Sequence, residues 1–380
     1  MPLPGVLAGL LARPTAPFVE SAVASYIADF CRKTPGVSLE TDRCGNLLAR
    51  YRYRPRGTRP LAFAAHMDHP GFIAQQQLEA HKLRAAFRGG VRSEYFRRAG
   101  VRFWSDGGWV EAQVRAVVRA RQVRRGSTTW QVPEEVVLRV ARPVAYGSPG
   151  VWDLPEAQER EGRVYARGCD DSAGCAALLE LLRRLSRRRA RAEAYCLFTR
   201  AEEVGFIGAI GAARAGTIPK RVPIISIETS SELPHARIGD GPILRVGDRL
   251  SVFDPGLSAF CERVATGCAG RCKGFRYQRK LMDGGACEAT AFAAYGYRAG
   301  GICLALGNYH NMNTAARRID CEYVSLGDWK LMVDWFEALV LDEAGYRPAD
   351  ETQRRELDQS FARWRPLLRR PSGHDAAAAR

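Results

Sequence analysis

The chain has 380 residues, with 57 Lys or Arg against 41 Asp or Glu and a formal net charge of +16. Its 46% hydrophobic and 26% charged content is that of a globular chain able to bury a large core, which excludes a disordered polymer; no apolar run approaches the roughly 20 residues of a membrane-spanning helix. The basic excess invites a nucleic-acid reading, but it is spread over the middle segment, the stretch Arg183–Arg191 and the tail with no recognition motif, so nucleic-acid binding is not expected.

Eleven cysteines stand singly along the chain, and several, including Cys169, Cys175, Cys196 and Cys303, fall in apolar segments. That distribution suits a reducing cytoplasm better than a disulfide framework, so a cytoplasmic protein is expected. From the N-terminus, Leu3–Leu11 reads as the first helix, because it lacks the basic flank of a signal peptide and runs directly into PTAPF. Val19–Phe30 carries Val23, Ile27 and Phe30 at helical spacing. Gly45–Tyr51 and Leu61–Ala65 read as strands, the second nearly all apolar, hence interior, and delivering His66 at its end. In an extended segment His66 and Asp68 point the same way, the geometry in which a carboxylate accepts the second ring N–H of a metal-bound imidazole.

After Gly71 the pattern changes. Trp109–Val118 and Val136–Val140 alternate apolar and polar residues, which predicts a half-exposed antiparallel sheet, and Pro149–Arg163 reads as a linker leading back. Ala166–Leu182 then places Asp170 and Asp171 directly before an apolar run of helical spacing. Standing alone, such a pair would ordinarily be a helix cap. Ala194–Phe198 reads as an interior strand ending at Glu202-Glu203, with Gly205 and Gly208 allowing a tight helix start, and Pro223–Ile227 as another strand ending in Glu228. Asp254-Pro255-Gly256 signals a turn before a helix at Leu257–Ala265, and Arg279–Ala294 combines a Gly284-Gly285 turn with a helix start near Glu288. Ile302–Leu306 is the last core strand and leads to His310, and Leu326–Leu341 is a closing amphipathic helix. Beyond Gly345 the chain turns basic, a tail expected to be poorly ordered.

Five times, then, a His, Asp or Glu follows an apolar run where a strand would meet a loop. Two divalent ions about 3.5–4 Å apart need three or four nitrogen and oxygen ligands each, with at least one shared, and this set can supply them. His66-x-Asp68, Asp170-Asp171, Glu202-Glu203-x-Gly205-x-x-Gly208, Glu228 and His310 resemble, in this order, the co-catalytic di-zinc exopeptidases. The long segment between Asp68 and Asp170, together with PTAPF, Asp42–Arg50 and Asp283–Ala289, is similar to the glutamyl/tetrahedral aminopeptidase branch, and the resemblance runs from about Gly5 to Leu341.

That resemblance implies an α/β fold, a mixed central sheet flanked by helices with an inserted β-rich domain. The catalytic domain would be discontinuous, 1–71 and 166–345, with the insert at 72–165 and a basic, disordered tail at 346–380. Two divalent metal ions are implied, zinc first, with cobalt or manganese fitting the same donors. One would be held by Asp170, Glu203 and His310 and the other by His66, Asp170 and Glu228, with Asp170 bridging through a cis Asp170–Asp171 peptide. Glu202 would be the general base and Asp68 the carboxylate behind His66. The implied substrates are peptides losing their N-terminal residue, and the implied assembly is a homo-oligomer built through the insert. His69 stands where the branch often has an acidic residue, either shaping the site or competing as a ligand. Two alternatives stay open: a related di-metal amidohydrolase acting on N-acyl amino acids, and a non-catalytic binding or assembly protein that keeps the fold.

Overall fold

A six-residue apolar strand needs neighbours on both edges and cover on both faces, and Leu61–His66 is buried along its whole length. The computed structural model describes residues 3–55, 59–346 and 351–368. The chain begins with helices α1 (Gly5–Leu11) and α2 (Ser21–Arg32), followed by strands β1 (Val37–Thr41), β2 (Leu47–Arg52) and β3 (Leu61–His66). Next come β4 (Gly71–Glu79), β5 (Lys82–Arg88), β6 (Gly100–Ser105), β7 (Gly108–Arg125), β8 (Thr128–Val140) and β9 (Pro149–Trp152). The chain returns through β10 (Gln158–Arg160) and β11 (Arg163–Ala166) to α3 (Ser172–Arg187), β12 (Glu193–Thr199), α4 (Ile207–Ala215), β13 (Ile224–Ser231) and β14 (Ile243–Asp248). Helix α5 (Pro255–Arg271), β15 (Gln278–Met282), α6 (Glu288–Ala294) and β16 (Ala299–Leu306) follow. The short strands β17 (Met312–Asn313), β18 (Arg318–Ile319) and β19 (Glu322–Ser325) precede α7 (Leu326–Leu341) and α8 (Glu351–Leu368).

Eight strands form one mixed sheet in the order β1-β2-β12-β3-β13-β16-β14-β15. Its centre, β12-β3-β13-β16, is parallel, while β1, β2 and β14 introduce antiparallel pairings toward the edges. One face is covered by α1, α2, α3, α5 and α7, which share a core with Phe63, Phe198 and Ile302 of the sheet. The other is covered by α4 and α6 over Ala62, Ala64 and Leu197. Helix α3 is buried from Ser172 to Leu182 because Leu178, Leu179, Leu181 and Leu182 find apolar neighbours all round, and the Trp329 indole of α7 donates to the Ala173 carbonyl at its first turn.

The topology opens a crevice where the chemistry sits. Strand β3 pairs with β13 only from Ala62↔Ile224 to Ala64↔Ser226, whereas β13 stays paired with β16 out to Ser231↔Leu306. Strand β3 therefore parts from β13 two residues before His66 and Glu228, at the carboxyl ends of parallel strands, the position where open α/β sheets bind ligands.

The alternating strands after Gly71 do more than form a sheet: β4-β5-β8-β7-β6-β9 close into a barrel. The barrel has its own core, in which Phe72, Phe87, Phe96 and Trp152 meet at ring-centroid distances of 4.8–6.0 Å. Two expectations need correcting here. Pro149–Arg163 is not a plain linker, because Pro149–Trp152 is the strand that closes the barrel against β4 and β6. Residues 163–166 pair instead with β19 in a small separate sheet, so the barrel strands end at Trp152, short of the anticipated 165. Strand β9 is paired on both sides, by β4 and by β6, which is why a short strand of four residues is held there.

Part of the anticipated disordered tail, 346–380, is also ordered. Glu351–Leu368 form α8, and Leu357, Phe361, Trp364 and Leu368 recur at steps of four, three and four, an amphipathic pattern masked in the sequence by the surrounding arginines. Those four side chains are exposed. Residues 347–350 and 369–380 lie outside the described residues.

Candidate metal centre

Each candidate side chain is delivered by a short local device. His66 ends β3, and its Nδ1–H donates to the Asp68 carbonyl oxygen at 3.0 Å, leaving Nε2 free to face the crevice. This corrects the expected contact in part, since the Asp68 carboxylate stands farther from that nitrogen, at 3.6 Å. Its two oxygens instead accept the backbone N–H groups of Glu202 and Glu203, at 2.9 and 3.1 Å. One buried aspartate thus ties the His66 loop to the Glu202-Glu203 turn. Glu20 holds the same turn from the other side, accepting from the Ala201 N–H and pairing with Arg200. Gly208 lets the turn fold back tightly, because a Cβ there would lie 2.5 Å from the Arg200 backbone.

The peptide between Asp170 and Asp171 is cis. Asp171 turns away to cap α3, accepting the Gly174 N–H at 3.2 Å, while Asp170 faces both histidines. His66 Nε2 lies 3.4 Å from Asp170 Oδ1 and 3.9 Å from Glu228 Oε2. On the opposite side, His310 Nε2 lies 3.8 Å from Asp170 Oδ2 and 3.1 Å from Glu203 Oε2. The structure therefore brings all five expected donors together, grouped around Asp170 as two sets. Donor atoms of His66, Asp170 and Glu203 all lie within 4.8 Å of one another.

A cation fits this centre. Asp170 Oδ1, Glu203 Oε1 and Glu228 Oε1 are buried without a hydrogen-bond partner, an arrangement that would be costly if nothing positive completed it. Burial and the neighbouring carboxylates Glu228 and Glu203 push the Glu202 carboxyl well above its usual range, and burial does the same to Glu228. Burial alone would raise Asp170 as well, but the two facing histidines outweigh it and hold its carboxyl low. Both histidines are raised, the charge of nearby carboxylates overcoming the opposing effect of burial. Carboxylate oxygens and imidazole nitrogens converge here, a donor set suited to a divalent ion.

His69 is not among the crevice donors. Its Nδ1 contacts the Asp170 carbonyl oxygen at 2.6 Å and its Nε2 contacts the Asn311 side-chain oxygen at 3.0 Å, so it props the Asp170 backbone. Two further residues escaped the sequence reading. Glu322, fully buried at the start of β19, accepts the N–H groups of Asp170 and His310 at 3.1 and 2.8 Å, linking Asp170 to a histidine 140 residues away in sequence. Arg245 on β14 is 98% buried beside the crevice; it donates to Ser230 Oγ at 3.0 Å, while its Nε has no partner. Neither lies in a recognisable motif.

Asp170, Glu202, Glu203 and Glu228 line a cavity of 250 Å³ whose other walls include Arg245, Met282 and Gly284–Ala286. The barrel contributes a wall too: Gly90, Arg92 and Trp130 line the same cavity, and Arg125 at the end of β7 donates to the carbonyl oxygens of Asp283 and Gly284 at 2.8 and 2.7 Å.

A family model described as M42 glutamyl aminopeptidase matches residues 45–325. Among solved structures, the chain resembles the PhTET1 dodecamer with a TM-score of 0.73 at 20% identity, covering 90% of this chain and 100% of that one. It resembles an aminopeptidase, APDkam598, from the archaeon Desulfurococcus kamchatkensis with a TM-score of 0.71 at 21% identity, over 89% and 94% of the two chains. A Pyrococcus horikoshii TET1 peptidase that assembles into a tetrahedron or a large octahedral shell matches with a TM-score of 0.71 at 20% identity, over 89% and 98%. At these identities the structural likeness establishes the fold. Among the described residues no helix is long and apolar enough to cross a membrane.

Proposed function

Because the chain belongs to the M42 glutamyl aminopeptidase family, whose members are metal-dependent hydrolases of peptide bonds, we propose that it removes N-terminal residues from peptides with two divalent ions at the Asp170 centre and Glu202 as general base. The observation that carries this reading is the pair of donor sets that meet on the two oxygens of Asp170. Asp170, Glu203 and His310 would hold one ion and His66, Asp170 and Glu228 the other, with zinc the first choice for such nitrogen and oxygen ligands. When bound, the ions supply Lewis acidity toward the scissile carbonyl and make water nucleophilic at neutral pH.

The chain's own residues do the rest. Glu202 lines the cavity with its backbone fixed by Asp68, where its carboxylate can take the proton of the attacking water and hand it to the leaving amine. Asp68 and Glu20 hold that carboxylate in register with the donors, while Glu322 and His69 fix the Asp170 backbone. An assay of aminoacyl anilides against their N-acetylated forms tests the reading. Metal-dependent hydrolysis restricted to the free amine is expected, and cleavage of only the acylated compounds would overturn it in favour of a deacylase.

Arg245 gives the chamber a buried cation with an unused donor, complementary to an acidic side chain on the departing residue. N-terminal Glu or Asp should therefore be released faster than Leu. Arg245→Met should cost at least about tenfold in kcat/KM on a glutamyl anilide, the scale of a charge-assisted hydrogen bond, and much less on a leucyl one. Equal losses on both, with metal content unchanged, would remove Arg245 from substrate selection.

Self-association is part of the same proposal, on the analogy of the PhTET1 dodecamer and with the barrel as the assembling element. Val117 and Val118 are exposed on the barrel strand β7. Light scattering should return a multiple of the chain mass, and Val118→Glu should reduce it. A wild-type particle of one chain would sink the idea.

A further inference from the structure

The catalytic cavity does not end at the metal donors. Arg92, Ser231, Tyr309 and Met312 line both it and a second, larger groove of 730 Å³, so the two form one continuous depression with Tyr309 at the junction. The depression is asymmetric. On the cavity side Met282 and the Gly284–Ala286 turn form the wall, and the two hydrogen bonds from Arg125 pin the barrel hairpin onto that turn. On the groove side the walls are Tyr165, Tyr323, Asn308, Asn313 and the turn at Thr314–Ala315.

An enzyme that removes one residue at a time needs that asymmetry: a short compartment for the residue being released and an open path for the chain it leaves. We propose that the groove binds the residues on the C-terminal side of the scissile bond, and that it makes extended peptides better substrates than aminoacyl anilides. This inference rests on the aminopeptidase reading and adds to it a direction for the substrate and a second binding surface.

The groove is built for such a ligand. Tyr165 and Tyr323 face each other with ring centroids 5.2 Å apart, and the Arg163 guanidinium lies 5.3 Å from the Tyr323 ring centre. Tyr309 stacks on the ligand-bearing His310 at 3.7 Å, which places an aromatic wall immediately beside the donors. Tyrosine rings offer large contact area with only two side-chain torsions to freeze, so they bind varied side chains at low entropic cost. The Tyr323 ring lies flat on Gly307, where a Cβ would come within 2.0 Å of it, so the floor is kept low by the absence of a side chain. Arg92 and Arg163 are balanced by Glu232 and Asp320, so the groove reads chain length and apolar contact and leaves selection by charge to the cavity.

The test compares kcat/KM for a pentapeptide with that for the anilide of the same N-terminal residue, using the metal-loaded full chain. Wild type should favour the pentapeptide by about tenfold or more, the usual effect of one or two well-seated aromatic contacts. Tyr165→Ser, which removes an aromatic wall, and Ala315→Trp, which fills the groove from an exposed turn, should each lower that ratio by about tenfold. A ratio near unity in wild type, or one unmoved by both variants, overturns the groove assignment and leaves the aminopeptidase reading standing. Failure of wild type to cleave either substrate overturns the aminopeptidase reading itself.

Discussion

Glu202→Gln should lower kcat at least about a hundredfold, the scale for losing a general base, while the chain keeps two metal ions and its melting temperature. Gln matches Glu in shape but cannot accept a proton. The backbone at 202 is held by Asp68 whatever the side chain, so the rest of the turn should not move. Its neighbour behaves differently: Glu203 lies 3.1 Å from His310, and Glu203→Gln should weaken metal binding directly. Kinetics paired with elemental analysis separates the two roles. Metal loss in Glu202→Gln, with retention in Glu203→Gln, would exchange the assignments.

Asp170→Asn should be the more destructive change. Asp170 is the carboxylate that approaches both His66 and His310, one oxygen toward each. An amide keeps the shape but offers one carbonyl oxygen and no charge, so neither donor set stays complete. Metal content should fall below one ion per chain, with affinity down by more than the ten- to hundredfold typical of losing a residue that merely orients a ligand, and turnover should reach background. Wild type should also gain thermal stability on adding metal, by about 4 kcal/mol at a thousand times the dissociation constant, and the variant should not. Asp171→Asn serves as the control, because Asn also caps helices well and Asp171 points at α3. If Asp171→Asn stripped the metal and Asp170→Asn retained it, the bridging position would belong to Asp171.

What could be read from the chain alone was what local chemistry dictates. A run such as Leu61–Ala65 must be an interior strand, and a histidine following it must meet the strand's carboxyl end. Asp170-Asp171 before an apolar helical run must open a helix, and alternation at Trp109–Val118 must make a two-faced sheet. These periodicities carried the strands, the helices and the placing of His, Asp and Glu at strand ends; the fold class, the inserted domain and the roles of those side chains came from the resemblance to the di-zinc exopeptidases.

Which donor faces which was decided by strand order. His66 meets Glu228 because β3 and β13 are neighbours that part after Ala64 and Ser226, a fact of pairing that no local window contains. The closing of the barrel by Pro149–Trp152 is likewise non-local, since four residues without alternation look like linker until β4 and β6 are present to pair with them. Glu322, Glu20 and Arg245 were invisible for the same reason. Each is a charged residue in an undistinguished stretch, and only folding against groups distant in sequence brings it to the crevice. Local sequence determines secondary structure and the supply of reactive groups; their pairing depends on long-range packing, because a buried charge gains its partner, its orientation and its role only from the strands folded against it.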